Sequence, residues 1–267
     1  LQDNHQAGSC KPGFPGPMEL QPKRNMKRTD PDAHAPYADP HPSGQESGNG
    51  LPPAGPTPRW TAPEVIRALE PLVLPERLER LQGVLAQRLS SVTVVLDRPH
   101  DPHNGSAVLR SCDAFGVQTM HVLALSESFS ISRKVAQGTD RWIDVVIHTS
   151  AVTLIQTLRT EGYQLVVTHP QGERTLGELG SLGKVALVLG NEHDGVHPEL
   201  SAAADLRLAV PMRGFVESLN LSVTAALTVQ AAAAGRPGDL SPEHKDNVYA
   251  RWLRATVPRA DEVLRAL

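Results

Sequence analysis

The sequence predicts an α/β fold in which a parallel sheet is covered by helices on both faces. Two observations lead there. From Val92 onward, short β-branched runs recur, bounded by Gly, Pro or Asn, and helix-length segments separate several of them. The runs are continuously apolar rather than alternating, as strands buried on both faces are.

Residues 1–60 stand apart from this pattern. They hold 12 of the 23 prolines and 7 of the 21 glycines, with few large aliphatic side chains and balanced charge. Such a segment buries too little apolar surface to offset its ordering entropy, so a disordered tail is expected there. Folding is expected to begin near Trp60. Thr61-Ala62-Pro63-Glu64 reads as a helix start, and Pro75 opens a second helix whose Leu78, Leu81, Val84, Leu85 and Leu89 keep helical spacing. These give an N-terminal helical extension over 61–90.

The strand candidates follow in order: 92–96, 120–125, 142–147, 163–168, 185–190 and 206–210. Helices are expected over 106–116 and 151–162, near Pro198, and over 217–234, an Ala-rich stretch. The sheet domain is thus expected over 91–235. Ser241-Pro242-Glu243 caps a C-terminal helical extension over 236–267. The 267-residue chain carries no internal repeat.

Composition narrows the function. Two cysteines, Cys10 and Cys112, are too few for a disulfide framework or a cysteine zinc site. No run approaches the ~18 apolar residues of a membrane span, and the N-terminus lacks signal-peptide character, so a cytoplasmic location is expected. The net charge of −3 gives no global field for nucleic acid, so any RNA site must be a local patch.

Three clusters could carry chemistry. In 97–117, Asn104 is placed to cap the following helix, Gly116 to end it, and Arg110 lies between them. Arg110 reads either as a functional group or as a surface partner of Asp113; that helical order is the less favourable one. In 188–200, a strand ends at Gly190, and Asn191-Glu192-His193-Asp194-Gly195 makes a polar turn where α/β proteins bind ligands. The adjacent acids and histidine lack the spacing of a metal site, so no metal is expected. In 210–227, Ser218-Leu219-Asn220 opens the long helix, whose exposed amides suit an anionic or carbonyl-bearing ligand, although Ser218 and Asn220 read equally as caps. No GxGxxG, P-loop or nucleophile elbow occurs. His100, His103, His121, His148 and His169 read individually as structural.

The order and content of these clusters resemble the SpoU/TrmH branch of the SPOUT class of RNA 2′-O-ribose methyltransferases, most closely the enzymes of the tRNA D-loop guanosine. The family motifs are matched by HNGSAVLRSCDAFGV, LVLGNEHDGV and VPMRGFVESLNLSVTAAL, with SPEHKDNVYARWL also similar; the resemblance covers about residues 70–267. It implies a C-terminal trefoil knot, a homodimer with shared active sites, and S-adenosylmethionine held among knotted loops. By motif match those loops hold Thr168, Leu189, Gly190, Val210 and Leu219. The family's catalytic arginine falls on Arg110, with Asn104, Glu192, Ser218 and Asn220 as polar partners. Gly105 and Glu217 depart from the usual pattern, which has a larger residue and a glutamine. In the loop 126–142, Arg133, Lys134 and Arg141 are candidate phosphate contacts with tRNA.

Methyl transfer from a sulfonium to a ribose hydroxyl needs in-line placement and loss of a proton. Arginine is a poor base, so a charged Arg110 that fixes the ribose and stabilises the alkoxide is the preferred reading. Two alternatives are a ribosomal RNA 2′-O-methyltransferase, for which residues 1–60 do not resemble the usual extra domain, and a catalytically silent RNA-binding homologue, against which the complete polar set argues.

Overall fold

A computed structural model describes residues 60–124 and 138–266, all within one unit, Gly48–Leu267. The expectations for the tail up to residue 59, and for Arg133 and Lys134, lie outside the described residues. Among the described residues six strands form one sheet: β1 (Val92–Asp97), β2 (Thr119–Leu123), β3 (Asp144–His148), β4 (Gln164–Thr168), β5 (Val185–Leu189) and β6 (Leu206–Leu208). Their order is β3-β2-β1-β5-β4-β6, and every pairing is parallel.

Inside the strands, alternate residues serve opposite faces, as the two-residue pleat requires. Val92, Val94 and Leu96 of β1 and Val185, Leu187 and Leu189 of β5 pack in one cluster. That cluster also takes residues from α3 (Pro102–Ala114) and α6 (Leu221–Ala233). Val95, Ala186 and Val188 face the other way, toward α4 (Ala151–Thr160) and α5 (Pro198–Ala202). Each such fully buried Val or Leu contributes about 1.5–3 kcal/mol. The expected parallel sheet with helices on both faces is therefore present.

The N- and C-terminal helices share a third cluster. Val65 and Leu69 of α1 (Ala62–Leu69) and Leu81 and Leu85 of α2 (Pro75–Ala86) pack with α7 (Pro242–Thr256) and α8 (Ala260–Arg265) around Trp252. A polar knot ties this cluster to the sheet edge. Trp252 Nε1 and Gln118 Nε2 both donate to the Trp142 carbonyl, at 3.2 and 3.1 Å, and Arg251 pairs with Asp144 at 2.6 Å. Burial pushes the Asp144 carboxyl up, but His244, Arg251 and Gln118 more than offset this and hold it below its ordinary value.

Several local expectations need correction. Asn104 does not cap α3: the Asp101 carboxylate does, accepting from the His103 amide at 2.8 Å, and Pro102 takes the first helical position, where no N–H is needed. The Ala-rich helix begins at Leu221, not 217, because the Asn220 side chain caps it by accepting from the Ser222 amide at 2.8 Å. β6 stops at Leu208, two residues early, as Ala209 and Val210 leave the sheet edge. Asp113 pairs with the buried Arg88, which also stacks on the Trp252 ring at 5.2 Å, so the reading of Asp113 as a partner held for Arg110 is replaced. Among the described residues no helix is long and apolar enough to cross a membrane.

Candidate active site

The chain runs from β1 outward to β2 and β3, then crosses back to build β4, β5 and β6 on the other side of β1. The order therefore reverses at the β1–β5 boundary, and the crevice at the carboxyl ends of such strands is where open α/β sheets bind ligands. The loops leaving β1, β5, β4 and β6 all emerge at this edge.

One polar chain crosses it. Asn220 Oδ1 accepts from both the Ser222 amide (2.8 Å) and hydroxyl (2.6 Å), which fixes its amide with Nδ2 pointing away from α6. That Nδ2 donates to Asn104 Oδ1 at 3.2 Å, and Asn104 Nδ2 in turn donates to Glu192 Oε1 at 2.5 Å. Each amide orientation follows from the one before it, so the direction of the chain is set by the helix cap and ends on a carboxylate. Three sequence clusters, contributing Asn104, Glu192 and Asn220, are thus joined in one site.

The turn after β5 is built to present Glu192. Asn191 Oδ1 accepts from the backbone amides of His193 (2.9 Å) and Asp194 (2.6 Å), and the Asn191 backbone N–H donates to the Gly195 carbonyl at 3.1 Å. A Cβ on Gly190 would sit 2.5 Å from the Gly195 carbonyl carbon, so only glycine lets this hairpin close. Gly195 takes φ +67°. Glu192 is exposed.

Beside this network lies a cavity of about 470 Å³, within the ~300–1,000 Å³ usual for small-molecule sites. Thr168, Gly190, Val210 and Leu219, four of the five expected cofactor residues, line it. Leu189 does not: it is fully buried in the sheet core, one residue before the wall. Ser218, Asn220, Glu192 and the variant Glu217 also face the cavity, whereas Asn104 and Arg110 are not among its walls. Arg110 is exposed on α3. Six residues beyond Asn104, it lies roughly 9 Å further along the helix and about 120° around it. Arg141 is exposed in a short 3-10 turn, Thr139–Arg141, before β3.

Several residues here were given no individual role from sequence. Asn191 is buried, lines the cavity, and its Nδ2 finds no hydrogen-bond partner among the described residues. Asp97 ends β1 and Arg98 follows it; Arg98 adopts φ +46°, a conformation that costs a non-glycine residue roughly 1–2 kcal/mol. An acid–base pair at a strand end was the available signal. Nothing in the sequence marks Pro170 or Met212, which also line the cavity. Among the described residues no group of three or more His, Cys, Asp and Glu is arranged to hold a metal.

The profile of the SpoU rRNA Methylase family matches residues 91–230. The chain belongs to this family. The SpoU domain so defined runs from the residue before β1 to within α6, and so includes every member of the polar chain. Among relatives, the tRNA (guanosine(18)-2′-O)-methyltransferase of Thermus thermophilus is 34% identical over 187 residues, 67% of this chain and 96% of the relative. The enzyme of the same name from Aquifex aeolicus is 31% identical over 193 residues, covering 69% and 92%. The crystal structure of an A. aeolicus TrmH/SpoU tRNA-modifying enzyme superposes with a TM-score of 0.63 at 29% identity, over 69% of this chain and 98% of that one.

Proposed function

We propose that this SpoU-family protein transfers a methyl group from S-adenosylmethionine to the ribose 2′-hydroxyl of a tRNA nucleotide, the D-loop guanosine being the target. The observation that carries the reading is the Ser222–Asn220–Asn104–Glu192 chain beside a cavity at the switch point of the sheet. The names and coverage of the relatives support the choice of tRNA.

The cavity fits the cofactor. Gly190 leaves room for close backbone approach, Asn191 offers a buried donor without a partner among the described residues, and Glu192 and Glu217 set carboxylates on the walls. Carboxylates suit a ligand that carries a sulfonium cation. Thr168, Gly190, Val210 and Leu219 would hold it, with Leu189 supporting Gly190 from beneath. When bound, the cofactor supplies an electrophilic methyl group on a positively charged sulfur.

This chain's residues supply placement and charge. The rigid amide chain of Asn104 and Asn220 offers a fixed hydrogen-bonding edge for the ribose, with the Ser218 hydroxyl on the adjoining wall. The Arg110 guanidinium holds the ribose and stabilises the developing alkoxide while the hydroxyl proton passes to solvent and the methyl group moves from sulfur to oxygen.

Arg110 and Asn104 project from different sides of α3, which fits a site completed by a second copy of the chain. Phe215 (108% exposed) and Val216 (62%) in the loop before α6, and Val223 and Leu227 one turn apart on that helix, are exposed apolar side chains available to that homodimer. The loop Ala209–Asn220 carries the first two and also forms part of the cavity wall. We further propose that the C-terminal part of the sheet is threaded into the family's trefoil knot; the close approach of Gly172 to the Leu208–Ala209 backbone is in keeping with such tightly crossed segments. Arg141 contacts tRNA phosphate, together with Arg133 and Lys134. The reaction takes place in the cytoplasm and uses no metal.

The test is transfer of labelled methyl from S-adenosylmethionine into total tRNA and, separately, ribosomal RNA, with chelator present. Label in tRNA alone is expected. Label confined to ribosomal RNA, or its loss in chelator, overturns the proposal.

A further inference from the structure

Residues 97–104, from the end of β1 into α3, meet residues 192–197 beyond β5 at four successive places, the two segments running in opposite directions. Asn104 meets Glu192. The His100 ring stands edge-on to the His193 ring, with centroids 5.3 Å apart at 66°. Arg98 Nη1 lies 3.6 Å from Asp194 Oδ2. The His197 amide donates to Asp97 Oδ2 at 2.5 Å.

Arg98 is the pivot of this array. Its Nε donates to Asp97 Oδ1 at 3.0 Å, and the Asp97 carboxylate it leans on is buried. Its left-handed backbone is one that a long side chain keeps only where the surroundings over-determine it. A glycine would satisfy the turn without strain, so the side chain itself has a task there.

We infer that Arg98 is a positioning residue, which, braced on Asp97, holds Asp194 and thereby sets where the Asn191–Gly195 hairpin presents Glu192 to Asn104. This rests on the methyltransferase reading of the same site. The hairpin's inner shape comes from the Asn191 hydrogen bonds and does not need Arg98. What Arg98 adds is the hairpin's placement against the loop that leads into α3, the helix carrying Asn104 and Arg110. Asp194 itself is exposed and is not a wall of the cavity.

The experiment compares Asp194→Ala, Asp194→Glu, Arg98→Gly and the double variant Arg98→Gly/Asp194→Ala. Three quantities are read: melting temperature, single-turnover methyl transfer at saturating cofactor and tRNA, and amide exchange over 192–197 in cofactor-free protein. Asp194→Ala should melt close to the parent, because exposed substitutions change little. Its transfer rate should nevertheless fall about tenfold, and amide exchange over 192–197 should quicken. Asp194→Glu should recover much of the rate, since it keeps the charge. The double variant should be no slower than Arg98→Gly, because the two residues act as one unit. Parent rate and exchange in Asp194→Ala, or losses that multiply in the double variant, overturn the inference. If the parent protein itself fails to methylate tRNA, it is the methyltransferase reading that falls, and the exchange data alone then decide whether Arg98 holds the hairpin.

Discussion

Asn104 Nδ2 donates to Glu192 Oε1 at 2.5 Å, joining the first turn of α3 to the turn after β5 across 88 residues of chain. Because Asn220 donates to the other end of the same amide, Asn104 can be read as a relay with a fixed direction. Asn104→Asp removes the donor and sets a second carboxylate against Glu192. Like charges at that spacing oppose full ionisation, raising the affinity of the pair for a proton. Asn104→Asp should therefore transfer methyl more slowly than Asn104→Ala at pH 8, and the gap should narrow as the pH falls toward about 5. Single-turnover rates of the two variants across that range provide the check; a constant gap would show that charge at Glu192 is irrelevant.

Gly190 offers a sharper test of the hairpin. A Cβ there would meet Gly195 and Val196 backbone at 2.5–2.6 Å, and backbone cannot step aside as a flexible side chain can. Gly190→Ala is expected to cost roughly 1–3 kcal/mol of stability and to weaken S-adenosylmethionine binding at least about tenfold. Gly177→Ala, where nothing lies within 4 Å of the new Cβ, should do neither. Calorimetric titration of both variants decides it.

Arg88 and Arg110 should separate stability from catalysis. Arg88 is buried and leans on Asp113, so Asp113→Ala leaves a buried cation without its carboxylate. The loss expected is about 3 kcal/mol, the low end for a broken buried pair because Asp113 is partly exposed. Arg110→Ala should lower the urea midpoint less than Asp113→Ala yet abolish methyl transfer, and Arg110→Lys should keep a small residue of activity. Equal stability losses in Asp113→Ala and Arg110→Ala would refute the separation.

The histidine pair of the sheet edge predicts a pH dependence. His121 Nδ1 and His148 Nε2 lie 2.9 Å apart between β2 and β3. Burial, and then the neighbouring His148, lower the His121 imidazole to about 4; burial lowers His148 as well. The unfolded chain accepts a proton that the folded one refuses. The stability linked to this group is therefore complete above about pH 6.5 and is lost as the pH falls toward 4, at up to ~1.4 kcal/mol per pH unit. Melts of the parent between pH 8 and 5 should show that slope, and His121→Leu should flatten it. Identical slopes would contradict the assignment.

How far the sequence reaches differs between backbone and side chains. Periodicity located each strand from Val92 to Leu208, because a fully buried parallel strand writes itself as a continuous apolar run. Gly190 and the three polar clusters were legible as loops at strand ends. Capping was read less well: Asp101 and Asn104 are both good caps by type, and only the position of Pro102 in the folded helix decides between them. The distant partners of Asp113 and Asp97 could not be read. Arg88 and His197 reach them across 25 and 100 residues, distances over which local spacing carries no information. Leu189 was expected in the cofactor wall from its motif, yet the pleat turns it into the core.

Mapping the modified nucleotide tests the central claim most directly. A ribose 2′-hydroxyl is the nucleophile of alkaline RNA cleavage, so its methylation blocks hydrolysis of the adjacent phosphodiester. Unmodified tRNA treated with this protein and S-adenosylmethionine should give an alkaline ladder with one missing band, at the D-loop guanosine, and Arg110→Ala should leave the ladder complete. A complete ladder from tRNA that has nonetheless taken up the methyl label would place the methyl group on a base and contradict the account.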